Sequence, residues 1–303
     1  MKKTDKALIY ALSAVLLWST VATAFKIALQ YVDYLNLLFY SSLTSATALL
    51  IIIIATGKLR LVRNLERKEL THAVLQGILN PFLYYLVLFR AYSLLRAQEA
   101  LTLNYTWAVM VVLLSAAIFR KALRFRELCA IMISFSGVLV IATKGSFDFN
   151  FDEPLGIGLA LGSSLIWALF WVMNIGTKTD ETVKLFISFV TGFVLITITV
   201  AATGSLTLPS SEGLAAVVYV GLFEMGITFV LWLKALNLTD SIARTSNLVY
   251  LSPFLSLAFI NVIIGESVAL SSIAGLALIM AGIILQQSKR QSLEDCPEAA
   301  GER

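Results

Sequence analysis

The chain is built of long apolar blocks separated by short polar punctuation. Ten blocks stand out, at 7–27, 35–56, 70–92, 98–119, 127–143, 155–177, 185–203, 214–233, 245–264 and 270–287. About 20 residues of helix cross a bilayer's hydrocarbon core, and most of the blocks approach that length. The strict alternation of a membrane barrel strand is absent, and unpaired backbone amides are too costly in lipid for any open structure. The pattern therefore predicts an all-α membrane protein with ten transmembrane helices. Composition agrees: 303 residues that are 58% hydrophobic and 14% charged, with mean hydropathy +0.85, have too little polar surface to coat a soluble globule.

The blocks fall into two copies of five. NYTWAV (104–109), RKALRFRE (120–127) and SFSGVLVI (134–141) in the first half answer to VYLSPF (249–254), GESVALSS (265–272) and IMAGIILQ (279–286) in the second. Arg120 and Gly265, Lys121 and Glu266, and Gly137 and Gly282 are each 145 positions apart. The first connector is basic and its counterpart carries no Lys or Arg, which predicts that the copies are inverted in the bilayer. With the N-terminus inside, 19 of the 23 Lys and Arg fall on the cytoplasmic side and four (Lys26, Arg90, Arg96, Lys144) outside. Both termini are thus expected in the cytoplasm of a cell (inner) membrane protein. The net charge of +4 follows from this topology, and a nucleic-acid partner has no support.

The expected organisation is a first five-helix repeat (1–143), an extracytoplasmic linker (144–154), a second inverted repeat (155–287) and a disordered cytoplasmic tail (288–303). The start of the chain resembles a signal peptide, with Ala22-Thr23-Ala24 as its cleavage site. The pairing of SAVLLWST (13–20) with LGSSLIWA (161–168), Trp18 on Trp167, argues instead for a retained first span. Cys129 and Cys296 cannot form a disulfide framework. Gly156, Ala160 and Ser164 on one helix face, and Gly137 and Gly282, suit close helix packing, with self-association through the last two as the alternative.

Candidate chemistry is sparse and concentrated. Glu224 is the one acid near the centre of a span; a carboxylate there costs about 2.5–3.5 kcal/mol on insertion scales, so it should face a cavity or a partner. It is the expected substrate- or proton-binding group, against the plainer reading of a structural hydrogen bond to a neighbouring helix. An offset of 144 places it on Asn80 of the first copy. Pro81 and Pro253 are the two prolines inside spans; each removes a helical hydrogen bond, of Gly77 and Val249 carbonyls respectively, and marks a gating position or a packing kink. Trp18, Tyr84, Tyr85, Asn104, Tyr105, Trp107, Trp167, Trp171, Asn174, Asn247 and Tyr250 suit a pocket for a small organic solute, with interface anchoring or core packing as the rival reading, Trp107 and Trp232 included. Lys26, Arg90 and Arg96 are expected to snorkel to headgroups, whereas Glu99 opens span four without an evident reason. His72, alone of its type, has no cluster for a metal, and no phosphate-binding Gly loop points to ATP, so no cofactor is expected.

LLWSTVATAFK (16–26), the Ala91 and Ala235 ends of spans three and eight, and SPFLSLAFINVIIGE (252–266) followed by GLALIMAGIIL (275–285) resemble the EamA-type family of the drug/metabolite transporter superfamily. The resemblance covers about residues 8 to 287. AQEALTLNYTW (97–107) resembles the aromatic-amino-acid exporter branch, although Trp107 is followed by Ala108 where that branch usually has Pro, and Arg120-Lys121 stand where the family often has Gly-Glu. The resemblance implies a central cavity lined by spans one, three, four, six, eight and nine, and alternating-access export of amino acids or other small metabolites, driven by protons or another gradient. Three rivals stay open: a nucleotide-sugar or lipid-linked carrier, which would need a basic cluster in the cavity; a membrane-embedded enzyme, for which no catalytic constellation is visible; and a non-transporting scaffold.

Overall fold

The computed structural model describes residues 3–120, 122–146, 152–174, 179–239, 241 and 245–287. The tail, Cys296, Lys121, Lys178, Arg244 and residues 147–151 of the linker lie outside the described residues. Among those described, regular structure is entirely helical. Nine helical stretches are long and apolar enough to cross a membrane, and Leu270–Leu285 forms a tenth, shorter apolar one.

Spans one and two are α1 (Lys3–Tyr31) and α2 (Tyr34–Ala55), followed by a short exposed basic helix α3 (Leu59–Arg63). Span three is α4 (Arg67–Gly77), a π-helical segment (Ile78–Leu83) and α5 (Tyr84–Leu94). Span four is α6 (Ala97–Asn104) and α7 (Trp107–Ile118), and span five is α8 (Phe125–Ala142). In the second half come α9 (Pro154–Met173), α10 (Glu181–Thr203), the pair α11 (Ser211–Phe223) and α12 (Ile227–Leu238), a 3-10 segment (Asn247–Leu251) leading into α13 (Ser252–Ile264), and α14 (Leu270–Gln287). Local chemistry sets the boundaries. Asp33 and Asp180 accept two backbone N–H bonds each at the starts of α2 and α10. Glu99, puzzling in the sequence, accepts the Arg96 N–H at 3.3 Å and so caps α6.

The repeat is visible in backbone conformation. Gly57 and Gly204 close spans two and seven in the left-handed region, at φ 68° and 61°. Arg120 and Gly265 close spans four and nine at φ 51° and 67°, so the first copy places an arginine where the second has the residue that region favours.

Packing interlocks the copies. α1 lies against α11, α12 and α13 of the second copy, and α9 lies correspondingly against α5, α6 and α7 of the first. α2 packs on α10 and α8 on α14, so one apolar core runs through both halves. The contacts are matched in detail. A Cβ on Gly77 would sit 2.5 Å from the Ser188 carbonyl and 2.8 Å from Thr191; one on Gly221 would sit 2.5 Å from the Ser41 carbonyl and 2.6 Å from Thr44. Gly77 and Gly221 share the 144-residue offset of Asn80 and Glu224. Gly137 crosses Gly275, and Gly282 rests on Ser134 and Ala130, so the glycine faces of spans five and ten are spent on each other within the chain.

Candidate functional site

Four spans depart from regular α-helix, in two pairs. Span three passes through its π segment at Asn80-Pro81, where Asn80 has φ −142° and ψ 116°, and Pro81 packs on Gly192. Span eight breaks over Glu224 to Gly226; Gly226 has φ −123° and ψ −95°, and the freed Met225 carbonyl accepts from Ser45 Oγ at 2.7 Å. Span four breaks at Tyr105-Thr106, and span nine passes through its 3-10 turn before Ser252. Pro253 therefore begins a helix, where its missing N–H costs nothing, and the Val249 carbonyl expected to be free accepts from Ser252 N–H. The breaks in spans four and eight contain no proline.

The breaks bring most of the candidate side chains together. Tyr85 donates to Glu224 Oε1 at 3.0 Å, joining spans three and eight. The Tyr84 ring lies 4.7 Å from Tyr85 and stacks on Trp167 at 4.6 Å. Its hydroxyl donates to Asn104 Oδ1 at 3.3 Å, and Asn104 Nδ2 donates to Ser163 Oγ at 2.9 Å. Trp167 continues to Trp171 at 5.9 Å and to Phe229 at 6.1 Å, and Phe229 meets Trp18 at 5.7 Å. One chain of rings and hydrogen bonds thus runs through spans one, three, four, six and eight. Trp232 joins it against Trp18, and Trp107 stacks near Trp171.

The other candidates lie outside this chain of rings, and Asn174 Nδ2 donates to the Phe170 carbonyl at 2.9 Å. Asn80 is fully buried, and neither Nδ2 nor Oδ1 has a hydrogen-bond partner among the described residues, a debt of about 1–3 kcal/mol for such a group. Tyr105 lies at the span-four break and Tyr250, 145 positions on, in the span-nine 3-10 turn; both are half-buried. Asn247 is exposed at the start of that turn, and Asn174 lies at the end of α9. His72 bonds Gln76 at 3.0 Å, and no group of metal-ligating side chains occurs among the described residues.

Charges at the two ends depart from the expected snorkelling. Lys26 Nζ donates to the Tyr92 carbonyl at 2.8 Å, Arg90 lies over the Tyr34 ring at 5.0 Å, and Arg96 Nη2 donates to the Ser267 carbonyl at 2.6 Å. At the opposite end, Lys58 pairs with Asp180 at 2.7 Å and Thr179 donates to Glu69 at 2.8 Å, tying the loop after span two and the start of span three to the loop before span seven. Lys184, assigned by sequence to a cytoplasmic segment, is 5% exposed and lines a narrow cavity with Gln76, Trp171, Asn174 and Phe229. Its sequence neighbours are ordinary, so only the fold reveals it.

The Asp180 carboxyl is pushed up by partial burial, but the Lys58 ammonium and the Val183 and Thr182 amides outweigh this and hold it below the usual range. A depressed carboxylate contributes stability that is complete above its ordinary value near 3.9 and lost as pH falls through its lower folded value. Asp180→Asn is therefore expected to unfold at lower temperature than the parent at neutral pH, with the gap closing only in acid. Thermal unfolding in one detergent across pH would check it, and a gap that persists unchanged in acid would assign the effect to something other than this charge.

The profile of the EamA-like transporter family matches residues 5–143 and again 154–286. The chain belongs to the EamA-like transporter family. As an EamA-like protein it is a multi-pass membrane transporter for small molecules, and the double match restates the repeat seen in the fold. An uncharacterized transporter of Archaeoglobus fulgidus is 26% identical over 91% of this chain and 95% of its own length. The aromatic amino acid exporter YddG of Ancylobacter novellus is 26% identical over 75% of this chain and 78% of its own. A solved crystal structure at 21% identity superposes with TM-score 0.66 over 96% of this chain and 99% of its own, which establishes the shared fold.

Proposed function

We propose that this EamA-like transporter exports amino acids or similar small metabolites by alternating access, from a cytoplasm that holds both termini, across the inner membrane. The observation that carries the reading is Glu224, an acid at the break of span eight, bonded to Tyr85 and continuous with the aromatic chain of Tyr84, Trp167, Phe229 and Trp18. Rings supply apolar contact and shape, Asn104 and Tyr84 supply hydrogen bonds, and Glu224 supplies the one charge, which binds a substrate ammonium or a coupling proton. Asn80, Tyr105, Tyr250, Asn247 and Trp171 complete the proposed pathway, and the breaks at Pro81 and before Pro253 are its hinges. Lys58 with Asp180 ties one end of the bundle and Arg96 with Glu266 the other. The similarity to an aromatic amino acid exporter supports this substrate class.

A nucleotide-sugar or lipid-linked carrier would use several cations for phosphate. The described cavity beside Trp171 contains one, Lys184, which already faces Glu181 at 3.6 Å. The test is counterflow in proteoliposomes with a panel of labelled aromatic, aliphatic and charged amino acids beside a nucleotide-sugar. Accumulation of one amino-acid group supports the proposal. Flux of the nucleotide-sugar alone would select the other carrier, and no flux for any solute would favour a scaffold.

A further inference from the structure

At the end of the bundle away from Lys58 and Asp180, Lys26 of α1 and Glu266 of the turn between α13 and α14 line one cavity of about 330 Å³. Their charges do not meet: among the described residues Lys26 forms no ion pair within 4.0 Å, and Glu266 pairs only with Arg96, at 3.6 Å. Each is fixed instead on a different helix end. Lys26 Nζ donates to the Tyr92 and Leu95 carbonyls at 2.8 and 2.5 Å, at the last turn of α5. Glu266 accepts from the Ala97 and Gln98 amides at 3.2 and 3.3 Å, and from Gln98 Nε2 at 2.9 Å, at the first turn of α6. Gln98 Oε1 in turn accepts from Ala269 N–H at 2.7 Å, which holds the Glu266 turn in place.

An ammonium has three N–H donors and a carboxylate about four acceptor sites. These bonds leave one donor on Lys26 and acceptor capacity on Glu266. The cavity between them is near the lower end of the range for small-molecule sites, about 300–1,000 Å³. Leu29 and Ile264 give it an apolar wall, and Gln30 and Ser93 a polar rim. Opposite charges held apart on fixed backbone favour a ligand that carries both charges on adjacent groups. A purely anionic or cationic ligand would satisfy one and face the other.

We infer that this end cavity is a second binding subsite, for a zwitterionic α-amino acid whose carboxylate meets Lys26 and whose ammonium meets Glu266. The inference deepens the amino-acid reading proposed above and rests on it for the ligand's class, while locating a site separate from the Glu224 cluster. Arg96 shares Glu266 and keeps that carboxylate oriented.

Ser93 lines the cavity, is exposed, and its hydroxyl donates to the Arg90 carbonyl at 2.7 Å, so it offers a reporter outside the proposed charge contacts. In a Cys129→Ser, Cys296→Ser background, Ser93→Cys in nanodiscs would be labelled with a maleimide in the presence of phenylalanine, phenethylamine or phenylpropionate. Phenylalanine at about ten times its Kd should slow labelling about tenfold, and neither single-charge analogue should match it. Adding Lys26→Gln should abolish that protection; if this variant does not insert, the three-ligand comparison still decides. Equal protection by the amine or the acid, or none by phenylalanine, overturns the subsite. Counterflow on the same preparation separates the two readings: phenylalanine flux without protection removes the subsite alone, and protection without flux removes the transport reading alone.

Discussion

Glu224→Gln is expected to cut flux about 10- to 100-fold and to flatten its dependence on pH, while leaving the unfolding temperature close to that of the parent. Glutamine keeps the shape and an oxygen for the Tyr85 hydroxyl, which donates at 3.0 Å, so the tie between spans three and eight survives. What disappears is a negative charge and an exchangeable proton. Hydrogen bonds to charged groups contribute about 1.5–3 kcal/mol, and each 1.4 kcal/mol is a factor of ten, which sets the range. Tyr85→Phe provides the complementary case: the acid stays and its partner goes, so pH dependence should persist, with a loss no larger than that of the glutamine variant. Reconstituted flux from pH 5 to 9, with insertion verified by unfolding temperature, is the measurement. A glutamine variant that transports as fast as the parent at every pH would return Glu224 to a structural role.

The second large effect concerns two glycines far apart in sequence. Gly77→Ala and Gly221→Ala are each expected to cost about 1–3 kcal/mol, since a Cβ at either position meets a backbone carbonyl at 2.5 Å and the facing threonine within 2.8 Å. A backbone carbonyl cannot rotate aside as a side chain can, so α4 must move off α10 and α11 off α2. Those shifts would displace Asn80 and Glu224, three residues further along their spans, and flux should fall with stability. Gly158→Ala is the contrast: nothing lies within 4 Å of its Cβ position, and replacing glycine inside a helix gains up to about 1 kcal/mol. Unfolding temperatures of the three variants in one detergent test the set. Equal tolerance at all three positions would mean that the matched crossings are looser than their geometry indicates.

Part of the site was legible because lipid makes certain residues expensive. A mid-span acid and two mid-span prolines are costly in hydrocarbon, so Glu224, Pro81 and Pro253 stand out from composition alone. The breaks at Tyr105-Thr106 and at Gly226 were invisible because no residue there forbids a helix; Thr106 Oγ1 bonding Ser164 at 2.9 Å and Ser45 bonding the Met225 carbonyl come from other spans. Lys26 and Arg96 depart from the headgroup expectation for a related reason. A cation near the end of a span is equally consistent with a headgroup or with a helix carbonyl, and which it reaches depends on how α5 ends beside α1 and on where the turn after α13 lies. Glu266 had no distinguishing feature in its connector, yet it caps α6 and faces Lys26 across a cavity.

The amino-acid sequence alone determined that the chain is helical, that it passes through a membrane several times, that its apolar helices repeat five by five, and that a single acid lies deep among them. Only the tertiary structure decided which glycines touch, which rings join Glu224, and which charges hold the ends. The reason is the solvent. In water one face of a helix must be apolar and pattern reveals it, but in lipid every face is apolar, so close backbone approach and hydrogen bonds between spans choose the partners, and these depend on contacts far apart in the chain.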